Sequence, residues 1–203
     1  MKNKVIGGES PTNDAATIIK FEEPFCVRAL IEGTADLLFH RWSNEGVAEK
    51  SKAKKGSAAK KTDDLESYVH RHENGNLCLL GEQFRMALVA TAKFKQDPRS
   101  PRKSASDLYK AGIMPISIHC DLGVKEWDYI DMRRVVIQRA AITRCRPALK
   151  KGWRSEVILQ INLPEYIEPN DVHEVLSLAG RVNGMGDFRP TYGRFIVKEF
   201  EKL

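Results

Sequence analysis

The segment EPNDVHEVLSLAGRVNGMGDFRPTYGRFIVKEF, from Glu168 to Phe200, constrains this chain more than any other. Pro169 suits the first position of a helix, and Asp171 puts negative charge in the first turn. Val172, Val175, Leu176 and Ala179 then form one apolar helical face. Gly180 fits the left-handed residue that closes such a helix. A strand is predicted near Phe195–Phe200. Between the two lies a glycine-rich loop, in which Gly184, Gly186 and Gly193 bracket Met185, Asp187, Phe188, Arg189, Pro190, Thr191 and Tyr192. Glycine lets a backbone turn at positive φ and come close to another chain or a phosphate. Arg189, Arg194, Phe188 and Tyr192 add charge and stacking faces, which makes this a binding loop.

Upstream, Phe25, Val27, Ala29 and Ile31 alternate with Cys26, Arg28 and Glu32, a strand pattern that Gly33 ends. Asn74-Gly75, set between VHRHE and NLCLL, predicts a hairpin over Tyr68–Leu80 with a type I′ turn. Phe84, Ala87, Leu88, Thr91 and Phe94 trace one face of a helix over 82–94. The stretch QDPRSPRKSAS must be a surface loop. A short helix is predicted over 106–111 and a strand over 113–120, where Pro115 demands an edge position. Trp153, Ser155, Val157, Leu159 and Ile161 alternate with Arg154, Glu156 and Gln160 in another strand. The best elements, in order, are strand 25–32, helix 82–94, strands 113–120 and 153–161, helix 169–179 and strand 193–200. That order is βαββαβ, an α+β, ferredoxin-like (RRM-like) antiparallel sheet with both helices on one face. A loose leader would cover 1–20, and a single domain 21–203 would carry insertions at about 43–80 and 121–152.

Charge is unevenly placed. The net charge of +6 is modest, but Met132–Ser155 holds Arg133, Arg134, Arg139, Arg144, Arg146, Lys150, Lys151 and Arg154 with no acid. Ile142, Arg144 and Arg146 share one strand face, so two arginines point the same way. A bland surface intersperses acids, which makes this a polyanion-binding face. Residues 46–64 form a second basic tract, including Lys54 and Lys55, readable as a solvated loop or as an arm for a phosphate backbone. Its KKGSAAKKT run lacks the strand and the glycine of a phosphate-binding P-loop. Glu165, Glu168, Asp171 and Glu174 cluster after the basic face. A basic and an acidic surface on one chain allow head-to-tail association as a homo-oligomer.

Cys26, Cys78, Cys120 and Cys145 form no CxxC, and there is no signal peptide or long apolar run. These features point to a reduced, soluble, cytoplasmic protein without a membrane partner. No zinc-finger spacing, GxSxG, HExxH or carboxylate cluster is present, so neither a metal nor a cofactor is expected.

The run LAGRVNGMGDFRPTYGRF, from Leu178 to Phe195, together with the element order, resembles the RAMP superfamily of CRISPR-associated RNA-binding proteins, in the manner of a compact phage or mobile-element relative. The resemblance is specific over these residues and elsewhere rests on element order. It implies that the loop meets an RNA backbone, with Gly184, Gly186, Arg189, Gly193 and Arg194 in contact, and that the chain can build a multi-subunit assembly along a guide strand. Asp187 and Pro190 depart from the Gly/basic run common in the superfamily.

Three functions fit. The first is non-catalytic binding of single-stranded nucleic acid, with RNA favoured, where Arg139, Arg144, Arg146, Lys150 and Lys151 neutralise phosphates and Phe188, Tyr192 and Trp153 are stacking candidates. For Trp153, core filling is the better assignment, because it shares the apolar strand face. The second is a metal-independent endoribonuclease using His40 with Tyr68 or His70. His40 also fits a half-buried structural role beside Leu37, Leu38 and Phe39. The third is a structural or protein-interaction component of a phage or defence-related assembly.

Overall fold

Residues 22–41, 52, 64–137 and 140–203 are described by the structure, a computed structural model. The expected leader, most of the 46–64 tract with Lys54 and Lys55, and Arg139 lie outside the described residues.

Alternation builds the central sheet. In β1 (Phe25–Gly33), Val27, Ala29 and Ile31 are buried while the residues between them are partly exposed. β1 runs antiparallel to β11 (Arg154–Ile161), with Val27 opposite Leu159 and Ala29 opposite Val157. On its other side it pairs with β12 (Phe195–Lys202), Gly33 lying opposite Phe195. β7 (Ile113–Pro115) adds the far edge, giving the order β12-β1-β11-β7. Pro115, which has no N–H to donate, stands on that edge strand as its chemistry requires.

One face of this sheet is covered by helices. α1 (Gly81–Thr91) presents Phe84, Ala87, Leu88 and Thr91 to the core, and α2 (Ser106–Gly112) packs beside it. α3 (Pro169–Val182) buries Val172, Val175, Leu176 and Ala179 and packs against both α1 and β12. The Gln83 side chain accepts the Leu80 N–H at 3.1 Å, and Asp171 accepts the Glu168 N–H at 3.0 Å, so each long helix starts on a side-chain cap. The opposite face of the sheet is salt-bridged. Arg28 contacts Glu201 at 2.7 Å, Glu156 at 2.8 Å and Glu199 at 3.5 Å, and Arg154 contacts Glu32 at 2.6 Å.

Smaller sheets fill the connections. β2 (Leu37–Leu38), β10 (Ala140–Leu149) and β9 (Tyr129–Ile137) form one. β3 (His70–Arg71), β4 (Leu77–Leu80) and β8 (His119–Asp121) form another, and β5 (Gln96–Asp97) pairs with β6 (Ser100–Ser104). All of these pairings are antiparallel, so the fold is α+β. Among the described residues, no helix is long and apolar enough to cross a membrane.

Four expectations need correction. The 113–120 strand is two strands in different sheets, because the chain turns after Pro115 and the Ser117 hydroxyl takes the Ile158 N–H at 2.9 Å. Asn74-Gly75 does lie in a hairpin loop, but Gly75 alone of the two has positive φ (83°), so the turn is not type I′. The Asn74 side chain instead accepts the Asn76 N–H at 2.9 Å and widens the loop. Phe94 leaves the apolar face: α1 tightens into a 3₁₀ turn over Ala92–Phe94, whose shorter period rotates the ring outward, where it is 63% exposed. Finally, Gly180 lies inside α3, and the left-handed exit falls at Gly184 (φ 74°), whose N–H reaches the Ala179 carbonyl at 2.8 Å.

Close approach explains Gly180. A Cβ there would stand 2.2 Å from the Phe195 carbonyl oxygen. Gly180→Ala should therefore destabilise the protein, although alanine gains about 1 kcal/mol of helix propensity. The expected net loss is about 1–3 kcal/mol, the scale of overpacking, read from the urea midpoint at unchanged m-value. A gain in stability would show that α3 and β12 are less tightly apposed.

Candidate nucleic-acid interface

The glycine loop starts from a buried anchor. Met185 is fully buried, and its N–H donates to the Gly193 carbonyl at 2.8 Å. The loop then zips onto the chain that leaves β1. The Thr34 N–H reaches the Arg194 carbonyl at 2.8 Å, the Gly193 N–H the Asp36 carbonyl at 2.7 Å, and the Asp187 N–H the Leu38 carbonyl at 2.9 Å. Gly193 (φ 70°) is required here, since a Cβ would lie 1.8 Å from the Met185 oxygen. Cβ atoms at Gly184 and Gly186 would likewise meet the Tyr192 and Leu38 carbonyl oxygens, at 2.9 and 2.4 Å. All three glycines serve the chain's approach to itself.

Asp36 joins three segments. Its carboxylate accepts the Tyr129 hydroxyl at 2.7 Å and the Lys151 N–H at 2.9 Å, while its carbonyl holds Gly193. Burial, followed by this hydrogen bond, pushes the Tyr129 hydroxyl well above the ordinary tyrosine range. The β9–β10 hairpin and the 150–153 turn are thereby fixed beside the loop. Trp153 is buried, its indole N–H on the Ala35 carbonyl at 2.8 Å, which matches core filling.

On the hairpin, Arg144 pairs with Arg133 and Arg146 with Asp131, so all four share a face, because directly opposed residues point the same way. Arg133 binds Asp131 at 2.6 Å and the Tyr192 hydroxyl; Asp131 foremost holds its guanidinium well above the usual range. Its guanidinium carbon sits 4.4 Å from the Tyr192 ring centroid and 5.1 Å from that of Phe188. Arg146 lies 4.5 Å from the Phe188 centroid and ion-pairs with Asp187. It is only 7% exposed, with Nη1 buried and unpartnered among the described residues. Of the expected phosphate contacts, then, Arg146 is committed internally. Arg189, Arg194, Lys150 and Lys151 are exposed and make no ion pair among the described residues. Arg144 is half-buried. In the sequence Arg133 is only one of a basic run; its pairing needs the β9 strand, whose charged residues hide any apolar alternation.

Beside the loop opens a recess of about 260 Å³. His40, Tyr68 and His70 line it together with Arg41, Asp187 and Arg189. The His40 and Tyr68 rings lie 5.1 Å apart, and His40 Nδ1 stands 3.9 Å from Asp187. The runner-up catalytic residues are thus brought together. Burial, helped by the Arg41 charge and by His119, pushes the His70 imidazole down to about 4. The unfolded chain takes up this proton near 6.5, and the folded chain takes it up only near 4. Stability should therefore fall as pH drops from about 6.5 to about 4 and level off below. His70→Asn should flatten that slope, and NMR titration of the ring should give the low value directly. A midpoint near 6.5 would mean that the ring is solvated.

No protein-family model matches this chain, and no curated protein matches it. Among the solved structures that match is a chain of the Type III-B Cmr-beta bound to cognate target RNA, determined by cryo-electron microscopy. It is 6% identical with a TM-score of 0.50, and the match covers 89% of the present chain and 61% of the solved one. The chain thus spans about 61% of the length of that neighbour, and at this identity the likeness establishes a shared fold.

Proposed function

We propose that this protein binds single-stranded RNA without cleaving it, as one subunit of a larger assembly, through the side chains that project from the glycine loop and its adjoining turn. One observation carries the reading: Arg189, Arg194, Lys150 and Lys151 are exposed without ion pairs among the described residues, on segments that Asp36 ties together. A groove of unpartnered cations beside aromatic rings is what a sugar-phosphate strand requires. Strand order supports a ferredoxin-like core over 21–203: the four principal strands stand fourth-first-third-second, with both long helices on one face. That supports the RAMP resemblance of Leu178–Phe195, and the fold neighbour, a chain of a Cmr-beta structure bound to cognate target RNA, favours RNA over DNA.

A second reading has its own observation. His40, Tyr68 and His70 share one recess with Arg189, so a metal-independent endoribonuclease is the alternative. Cleavage of RNA in the presence of chelator, abolished by His40→Ala, would establish it in place of simple binding.

Titrating a labelled oligouridylate by anisotropy across a salt series tests the leading reading. With four phosphates engaged by Arg189, Arg194, Lys150 and Lys151, log Kobs should fall against log salt with a slope of about −2.8. Reversing two charges, Arg189→Glu with Arg194→Glu, should weaken binding and flatten the slope by at least about 1.4. A slope near zero in the parent protein would refute the proposal.

A further inference from the structure

We propose a second contact surface for the same single-stranded nucleic acid, on the 3₁₀ turn after α1 and the β5–β6 ribbon, built from Lys93, Phe94, Arg102 and Lys103. The inference rests on the RNA-binding reading and extends the path of the strand beyond the glycine loop.

The surface is preorganised by contacts that use up its neighbours. Arg99 grips Asp97 with two hydrogen bonds, of 3.0 and 2.8 Å, and this grip holds the carboxyl down to about 2. Lys95 takes Asp171 at 2.6 Å and Glu174 at 2.9 Å, offsetting part of the negative charge at the start of α3. β6 packs on the 92–94 turn, with the Ala105 N–H on the Lys95 carbonyl at 2.8 Å and Gln96 Nε2 on the Pro101 carbonyl at 3.0 Å. What remains outward is Lys93, Arg102 and Lys103, exposed and without an ion pair among the described residues. Asp107, Glu165, Glu168 and Glu174 are the exposed acids of the flanking segments, and Glu174 is held by Lys95.

Phe94 gives the patch its direction. It is 63% exposed, with Lys93 Nζ 4.8 Å from its ring centroid. Tyr166, 44% exposed, stands at the margin with Arg99 at 5.6 Å from its centroid. Exposed aromatic rings beside free cations stack bases and neutralise phosphates in any sequence. A protein partner would call for a wider apolar field around Phe94, and here a charged side chain, Lys93, lies over the ring. The distance is also suitable. Lys95 fastens this patch to the first turns of α3, whose other end enters the glycine loop; the 14-residue helix separates them by about 21 Å. A long strand can bridge that span and a short one cannot.

The test compares labelled oligouridylates of about 4 and about 16 nucleotides. Phe94→Ala should weaken the long probe at least about 5-fold, the lower bound for one stacked base, and leave the short probe unchanged. Arg102→Ala with Lys103→Ala should flatten the salt slope of the long probe by about 1.4. All three side chains are exposed, so thermal midpoints should stay at the parent value. If the long probe binds these variants as it binds the parent, while Arg189→Glu with Arg194→Glu still weakens it, the second surface is refuted and the glycine-loop reading survives. Failure of the parent to bind either probe would overturn both.

Discussion

Backbone hydrogen bonds between the glycine loop and residues 34–38 hold the rest of this architecture in place. Because β12 lies antiparallel to β1 with Phe195 opposite Gly33, the chain leaving β1 and the chain approaching β12 must run side by side. Residues 184–194 continue that pairing beyond the sheet, giving N–H groups to the Asp36 and Leu38 carbonyls. Leu37 and Leu38, held from one side, pair with β10 on the other. The arginine hairpin is therefore hung on the sheet through one short segment. Each unsatisfied amide in such a joint would cost about 1–3 kcal/mol, so side chains cannot be allowed to part the two backbones.

Where the positive charge sits follows from the same joint. Counting arginines would put the free charge on the hairpin, yet two of them are engaged internally. Arg133 and Arg146 are absorbed by Asp131, Asp187, Tyr192 and Phe188. Removing one partner from a largely buried pair strands a charge, so these arginines hold loop and hairpin together. Charge available to a partner is what remains on the rim. The open face of the sheet offers none: Arg28 is enclosed by three glutamates there. A modest net charge thus coexists with a concentrated cationic edge, and steering depends on that local field.

How much of this could be read beforehand depended on which force ruled each position. Periodic burial ruled β1, β11 and the Val172–Ala179 face, and these stand where the residue pattern puts them. Contacts between distant segments ruled elsewhere. Gly180 looks like a helix terminator until Phe195 is brought against it. Phe94 keeps helical spacing in the sequence and loses it when the helix tightens. β9 carries Asp131, Arg133 and Arg134 in place of an alternating apolar set, so its strand is set by pairing with β10. The loop's location between the last helix and the last strand was legible; the engagement of its glycines with the chain's own carbonyls was not, since it requires the 34–38 segment as partner.

Binding and cleavage meet at one carboxylate. General acid–base chemistry needs an imidazole oriented by a partner and poised near neutrality. In the recess, Asp187 is the carboxylate closest to that task, but its Oδ2 is held by Arg146 and stands 3.9 Å from His40, beyond hydrogen-bond length. Burial pushes the His70 imidazole down to about 4, which makes it a poor general acid near neutral pH. Asp187 is thus engaged in keeping loop and hairpin together, whereas Arg189 at the rim of the recess remains exposed.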